Sequence, residues 1–268
     1  MDAPCVVLLP GAGQTRRAWR AVARSLARQY RVISLDLRGH GESGWARDGD
    51  YLIDAFVGDV LAVVSPVVVP TVLVGASIGG IAAMLAAASG WAPLVAGLVL
   101  VDVVPDMEAK GLQRIRDFMS ANAEGFASLD DAADAVSAFL PHRPRPASNS
   151  GLAGSLRSCQ DGRLRWHWDP AFHASSAARS GMFERMARAA SSVTVPTLLI
   201  SGGNSEVVSG EGARKLLAAL PNAEWVDVAG AAHMVAGDSN DSFSLALAAF
   251  LDRTLQTVDG TPQAGEMS

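Results

Sequence analysis

Cysteine is nearly absent. The two in this 268-residue chain, Cys5 and Cys159, are too few for a disulfide scaffold, and they lie too far apart for a metal-ligand spacing or a redox motif. Charge is sparse as well: Asp, Glu, Lys and Arg make up 18% of the residues, the net charge is −5 and the pI is near 5.5. The arginines are scattered, with no basic run beyond short pairs, which argues against nucleic acid as a general partner. No apolar run reaches the roughly 20 residues of a membrane span. The start, Met1-Asp2-Ala3-Pro4, has no basic region ahead of an apolar stretch, so no secretory signal is visible and a soluble cytoplasmic protein is expected. The glycine-rich loop Pro10-Gly11-Ala12-Gly13-Gln14-Thr15 lacks both the Lys-Ser/Thr ending of a P-loop and the spacing of a dinucleotide fingerprint. Neither a cofactor nor a metal is expected.

What is present is apolar. Hydrophobic residues make up 49% of the chain and the mean hydropathy is +0.21, enough for one large core, alone or carrying an inserted subdomain. Apolar runs of the kind buried on both faces of a parallel sheet occur at Cys5–Leu9, Thr71–Val74, Gly97–Val101 and Thr197–Ile200, and two further strands are expected at Val32–Asp36 and Glu224–Val228. Helical patterns separate most of them, which predicts βαβ units. Between Pro105 and Ser192 no buried strand is evident. The charged helical stretches 110–119 and 130–140 lead to a proline-rich break at 141–146 and then to the aromatic cluster Trp166-His167-Trp168. This region is expected to be an inserted helical cap over residues 105–192, with the core in 1–104 and 193–256. The polar tail 257–268 is expected to be disordered.

The chemistry centres on Gly75-Ala76-Ser77-Ile78-Gly79, a G-x-S-x-G between a buried-type strand and an alanine-rich helix. In a strand–turn–helix setting the small residues let the backbone cross closely, and the serine is lifted above the sheet at the positive end of the helix. A serine hydroxyl needs a base to take its proton. His233, in the small-residue loop 229–234 after the last strand, is the candidate.

Taken in order, Leu9-Pro10-Gly11-Ala12-Gly13, Asp36-Leu37-Arg38-Gly39-His40-Gly41-Glu42-Ser43, the elbow at Ser77 and the Gly230–His233 loop resemble the α/β-hydrolase superfamily, in its capped single-domain branch. The resemblance implies a mostly parallel central sheet of about six strands with helices on both faces. It also implies a catalytic triad. The family order of nucleophile, acid and histidine makes Glu206 the preferred acid, with Asp102, at the end of the strand after the nucleophile, as the alternative. The oxyanion hole is expected from the amides of Ile78 and Ala12, or of Gly13 in place of Ala12. Gln14, Trp166 and Trp168 are candidate substrate contacts, while Met107, Phe118, Met119, Phe126 and Phe139 are expected to build the core of the cap. His40 is expected to order its own loop.

Two departures from the family pattern stand out. Pro10 occupies the place where the family usually has a histidine, and the family's opening hairpin is missing, which implies a shorter sheet or a start further upstream. The activity implied is hydrolysis of a small-molecule carboxylic ester or lactone through an acyl-serine, by a protein that is a monomer or a homodimer. Four alternatives share the fold: carbon–carbon bond hydrolysis, cofactor-free perhydrolysis, thioesterase or acyltransferase chemistry, and non-hydrolytic ligand binding. A carrier-bound acyl substrate would require a basic patch, for which Arg143, Arg145, Arg163 and Arg165 are the candidates.

Overall fold

The expected strands form as β1 (Cys5–Leu9), β2 (Arg31–Ser34), β3 (Thr71–Ala76), β4 (Val95–Val101), β7 (Thr197–Gly202) and β8 (Ala223–Val228). They make one six-stranded sheet, parallel throughout, in the order β2-β1-β3-β4-β7-β8. The computed structural model describes residues 3–141, 145, 148–174, 181–229 and 241–256; His233 and the expected tail from residue 257 lie outside them.

Alternate residues of each central strand enter opposite layers, as the two-residue period of a strand requires. Val7, Leu9, Leu73, Leu98, Leu100 and Leu199 face one core, with Phe56 and Val60 of α2 (Ile53–Val64) and Ile81 and Met84 of α3 (Ile78–Ala88). Val6, Leu8, Val72, Val74, Val99 and Ile200 face the other. There they meet Val22 and Leu26 of α1 (Arg20–Leu26), Trp19, and Phe243 and Phe250 of the last helix, Asp241–Gln256. Burial on both faces explains why these strands read as unbroken apolar runs. Cys5 is buried in β1 and Cys159 is partly exposed; both are free thiols. No helix among the described residues is long and apolar enough to cross a membrane.

Between β4 and β7 the chain forms α4 (Ala109–Ser120), α5 (Leu129–Phe139), α6 (Ser150–Ala153), α7 (Pro170–Ala174) and α8 (Met182–Ala189). Helix α5 starts in a reciprocal capping box, Ser128 with Asp131. The insert is not purely helical, as was expected from its pattern. It also contains an antiparallel hairpin, β5 (Leu156–Ser158) with β6 (Leu164–Trp166). Strands of three residues are too short to show a period in the sequence. Gly162, at φ 77°, makes the turn between them, and Arg165 pairs with Asp161 beside it.

A buried polar seat joins the insert to the sheet. The Asp169 amide donates to the Gly39 carbonyl at 2.8 Å, and the Gly41 amide donates to His167 Nδ1 at 2.8 Å. The Tyr51 hydroxyl donates to Asp169 Oδ2 at 2.6 Å, and Phe172 sets its ring edge-on against His40, Tyr51 and Phe56. Burial first, and then the bond to Asp169, push the Tyr51 phenol up to about 12. Tyr51→Phe removes a hydrogen bond to a buried carboxylate, so the expected cost is about 2 kcal/mol in urea unfolding. A midpoint equal to wild type would show that the seat contributes nothing.

Candidate active site

Ser77 caps α3 with φ 49° and ψ −121°, a region that non-glycine residues rarely occupy. Two glycines make the turn feasible. A Cβ on Gly75 would come within 2.5 Å of the Gly79 carbonyl oxygen, and one on Gly79 within 2.5 Å of the Pro10 carbonyl oxygen. The helix thus crosses its own strand and the end of β1 at backbone contact, which holds Ser77 in its turn.

The neighbouring strand delivers a carboxylate to the same level. Ala76 and Val101 are the last register pair of β3 and β4, and the Ser77 amide donates to the Val101 carbonyl at 3.2 Å. Ser77 and Asp102 therefore stand side by side, one residue past the ends of adjacent strands, which run about 4.8 Å apart in a sheet. Asp102 is fully buried and shares the unusual backbone, at φ 50°. Its Oδ1 accepts from the Gly202 amide at 3.2 Å and its Oδ2 from the Ser205 hydroxyl at 2.7 Å. Ser205 in turn accepts from the amides of Val207 and Val208. Ser205 was not singled out in the sequence, where a serine between Asn204 and Glu206 reads as an ordinary loop residue.

Glu206, the acid preferred on family order, is placed elsewhere. Its carboxylate pairs with Arg114 of α4, and 57% of its side chain is exposed. The loop that carries it is docked from behind: a Cβ on Gly111 would fall 2.1 Å from the Glu206 carbonyl oxygen.

The loop after β1 lies against the nucleophile, with Gly11 3.3 Å from Ser77 Cβ measured from the point where its own Cβ would sit. Its amides divide their duties. Gly11 donates to Gln14 Oε1 at 3.0 Å and Gly13 to His40 Nε2 at 3.1 Å, so the Gly13 amide is not available as an oxyanion donor. The Ala12 amide between them has no partner among the described residues. Ile78 is the first residue of α3, where the amide has no intrahelical acceptor.

His40 ties the loop after β1 to its own loop. Its Nδ1 lies 3.0 Å from the Arg38 carbonyl and must carry the proton, leaving Nε2 to accept from Gly13. Burial drives the His40 pKa down, which favours this neutral form. His167, its ring centroid 5.9 Å away, is held down to about 4, by burial first and then by His40.

A cavity of about 430 Å³ opens onto Ser77, lined by Gly11 to Gln14 and by Trp166 and Trp168 of the insert. Phe118, Met119 and Phe139 also line it, rather than only filling the core of the insert as expected. Phe126 is buried behind Trp166, edge-on at 5.2 Å. Among the described residues the candidate arginines are each engaged within the insert rather than gathered into a basic patch. Arg145 pairs with Asp134 and Asp130, Arg163 donates to the carbonyls of Glu124 and Gly125, and Arg165 pairs with Asp161; Arg143 lies outside the described residues.

Residues 6–244 match the alpha/beta hydrolase family. This chain belongs to that family. It is 31% identical over 225 residues to Esterase Rv0045c of Mycobacterium tuberculosis, a match covering 80% of the chain and 71% of that esterase. The solved structure of the M. tuberculosis esterase superposes with a TM-score of 0.77 at 27% identity, covering 94% of this chain and 86% of that one. Protein phosphatase methylesterase 1 of Mus musculus is 27% identical over 165 residues, which span 59% of this chain and only 43% of the methylesterase.

Proposed function

We propose that this alpha/beta hydrolase is a serine esterase that cleaves a small-molecule carboxylic ester or lactone through an acyl-serine, with the insert acting as its cap. The observation that carries this reading is the pairing at the strand ends: a strained Ser77 beside the buried, hydrogen-bonded Asp102, with the cavity above. Ser77 Oγ attacks the ester carbonyl as His233 takes its proton. Asp102, rather than Glu206, orients His233 and stabilises its charged form. The amides of Ala12 and Ile78 receive the developing oxyanion, a contribution typically worth about 3 kcal/mol per donor. Collapse breaks the ester C–O bond, and the alcohol leaves with the proton held by His233. Water then adds to the acyl-serine by the same route in reverse and frees the acid and the Ser77 hydroxyl. The esterases among the relatives support this chemistry.

A fluorophosphonate probe is expected to label the protein stoichiometrically, with the adduct on the peptide carrying Ser77 and none in Ser77→Ala. A folded protein that takes no label would overturn the hydrolase reading in favour of non-hydrolytic binding.

A further inference from the structure

Four aromatic rings of the insert form one continuous row inside the cavity. Phe139 stacks on Phe118 at 4.2 Å and 17°, Phe118 meets Trp166 at 5.7 Å, and Trp166 stacks on Trp168 at 4.9 Å and 12°. All four line the cavity. The row ends at the loop after β1, where Trp168 Cζ3 lies 3.3 Å from the point a Gly13 Cβ would occupy. At its far end Phe139 is clamped by Arg114, which stands 5.2 Å over the ring and donates to the Phe139 carbonyl. Arg114 is itself held by Glu206, so the loop after β7 positions the outer end of the row. The lining also includes the apolar Ile115, Val136 and Leu152, with Ser137, Ser148, Asn149 and Ser155 as uncharged polar neighbours. Arg145 is the one charged side chain among the described lining residues, and its guanidinium is already neutralised by Asp134 and Asp130.

We propose that this row is the specificity element: it takes the larger half of the ester as an uncharged aryl or medium-chain alkyl group and rejects carboxylated analogues. This rests on the esterase reading above. Apolar groups gain by leaving water for such a surface, and flat groups gain further by stacking on the rings. A carboxylate carried into the same space would lose its hydration without meeting an unpaired cation among the described lining residues. Phe139 and Trp168 are then binding residues, and Arg114 is a positioning residue that acts through Phe139.

The test measures kcat/KM along two series, p-nitrophenyl esters of growing acyl length and acetate esters of growing n-alkanols. In one series the value is expected to rise about fourfold per methylene until the cavity fills. The ω-carboxylated member of the same length is expected to fall at least a hundredfold below its neutral analogue. Phe139→Ala should flatten the rise, cutting efficiency on the longest ester about tenfold more than on the acetate, mainly through KM. Arg114→Met should do the same more weakly; if Phe139→Ala does not fold, Phe139→Leu replaces it. Two flat series with measurable acetate turnover, or equal use of the carboxylated ester, would overturn the proposal.

A second readout separates this failure from failure of the esterase reading. In Ser77→Ala, 2-naphthyl acetate is expected to quench the fluorescence of Trp166 and Trp168 saturably, and its 6-carboxylate is not. That result supports the row even in a protein with no ester turnover. Absence of quenching by both, or quenching by both alike, overturns it.

Discussion

Asp102→Asn is expected to lower ester turnover about 10⁴-fold, the loss measured when the triad aspartate of a serine protease is made neutral. The reason is geometric as well as electrostatic. An asparagine side chain still accepts on its oxygen, but its amide presents a donor where the imidazole N–H must be received, so the histidine is held in the wrong tautomer. Asp102 is fully buried, and its oxygens are already tied to the Gly202 amide and the Ser205 hydroxyl, so it cannot turn away to relieve the mismatch. Glu206→Gln removes an ion pair with Arg114 whose acidic partner is largely exposed, and exposed pairs contribute at most about 1 kcal/mol. Acetate-ester turnover in that variant is expected to stay within tenfold of wild type. The comparison is kcat/KM for p-nitrophenyl acetate in the two variants, with unfolding curves to confirm that both fold. The reverse ranking would return the acid to the loop after β7.

Acidification is expected to remove about 2 kcal/mol of stability between pH 7 and pH 5, and roughly 3 kcal/mol once the folded-state titration is complete. The source is the seat of the insert. His167 is held at about 4 in the folded protein against 6.5 for an ordinary histidine, chiefly by burial and next by His40. The unfolded chain therefore binds the proton first. The stability is fully present above pH 6.5 and is lost as pH falls through the folded value near 4. His40 is shifted in the same direction, again by burial, and adds to the loss with the same sign. Asp36 opposes the shift at both rings and Asp169 does so at His40, without reversing it. Protonation at His167 Nδ1 would also abolish the acceptor for the Gly41 amide, loosening a bond between insert and core. In His167→Asn the amide oxygen can still accept that bond but nothing titrates, so most of the slope should vanish. Urea midpoints at pH 7.5 and 5.0 decide the matter. A flat wild-type profile, or an unchanged slope in His167→Asn, would sink the account.

Glu206 and Asp102 differ in ways that chain order does not carry: Asp102 is buried at the strand end beside Ser77, and Glu206 pairs with Arg114 at the surface. Chain order places an acid after β7, and Glu206 was the only carboxylate in that loop. What order does not carry is the orientation of a loop side chain. Gly111 lets α4 pack against the Glu206 carbonyl, and the Glu206 carboxylate pairs with Arg114 of the same helix. The Gly13 amide is a parallel case. Of the two adjacent loop amides, Ala12 was expected first and Gly13 in its place, and His40, 27 residues away, occupies that of Gly13.

By itself the sequence determined the sheet, the elbow and the family. Each is written in local terms: unbroken apolar runs for strands buried on both faces, glycines two residues either side of a serine, and motifs in a recognisable order. Only the tertiary structure decided which carboxylate stands beside Ser77, which amide of the loop after β1 His40 occupies, and which rings of the insert line the cavity. These depend on contacts between residues far apart in the chain, such as Ser205 with Asp102, Tyr51 with Asp169 and Phe118 with Trp166. Close packing selects one of many such arrangements that the same composition and periodicity would allow.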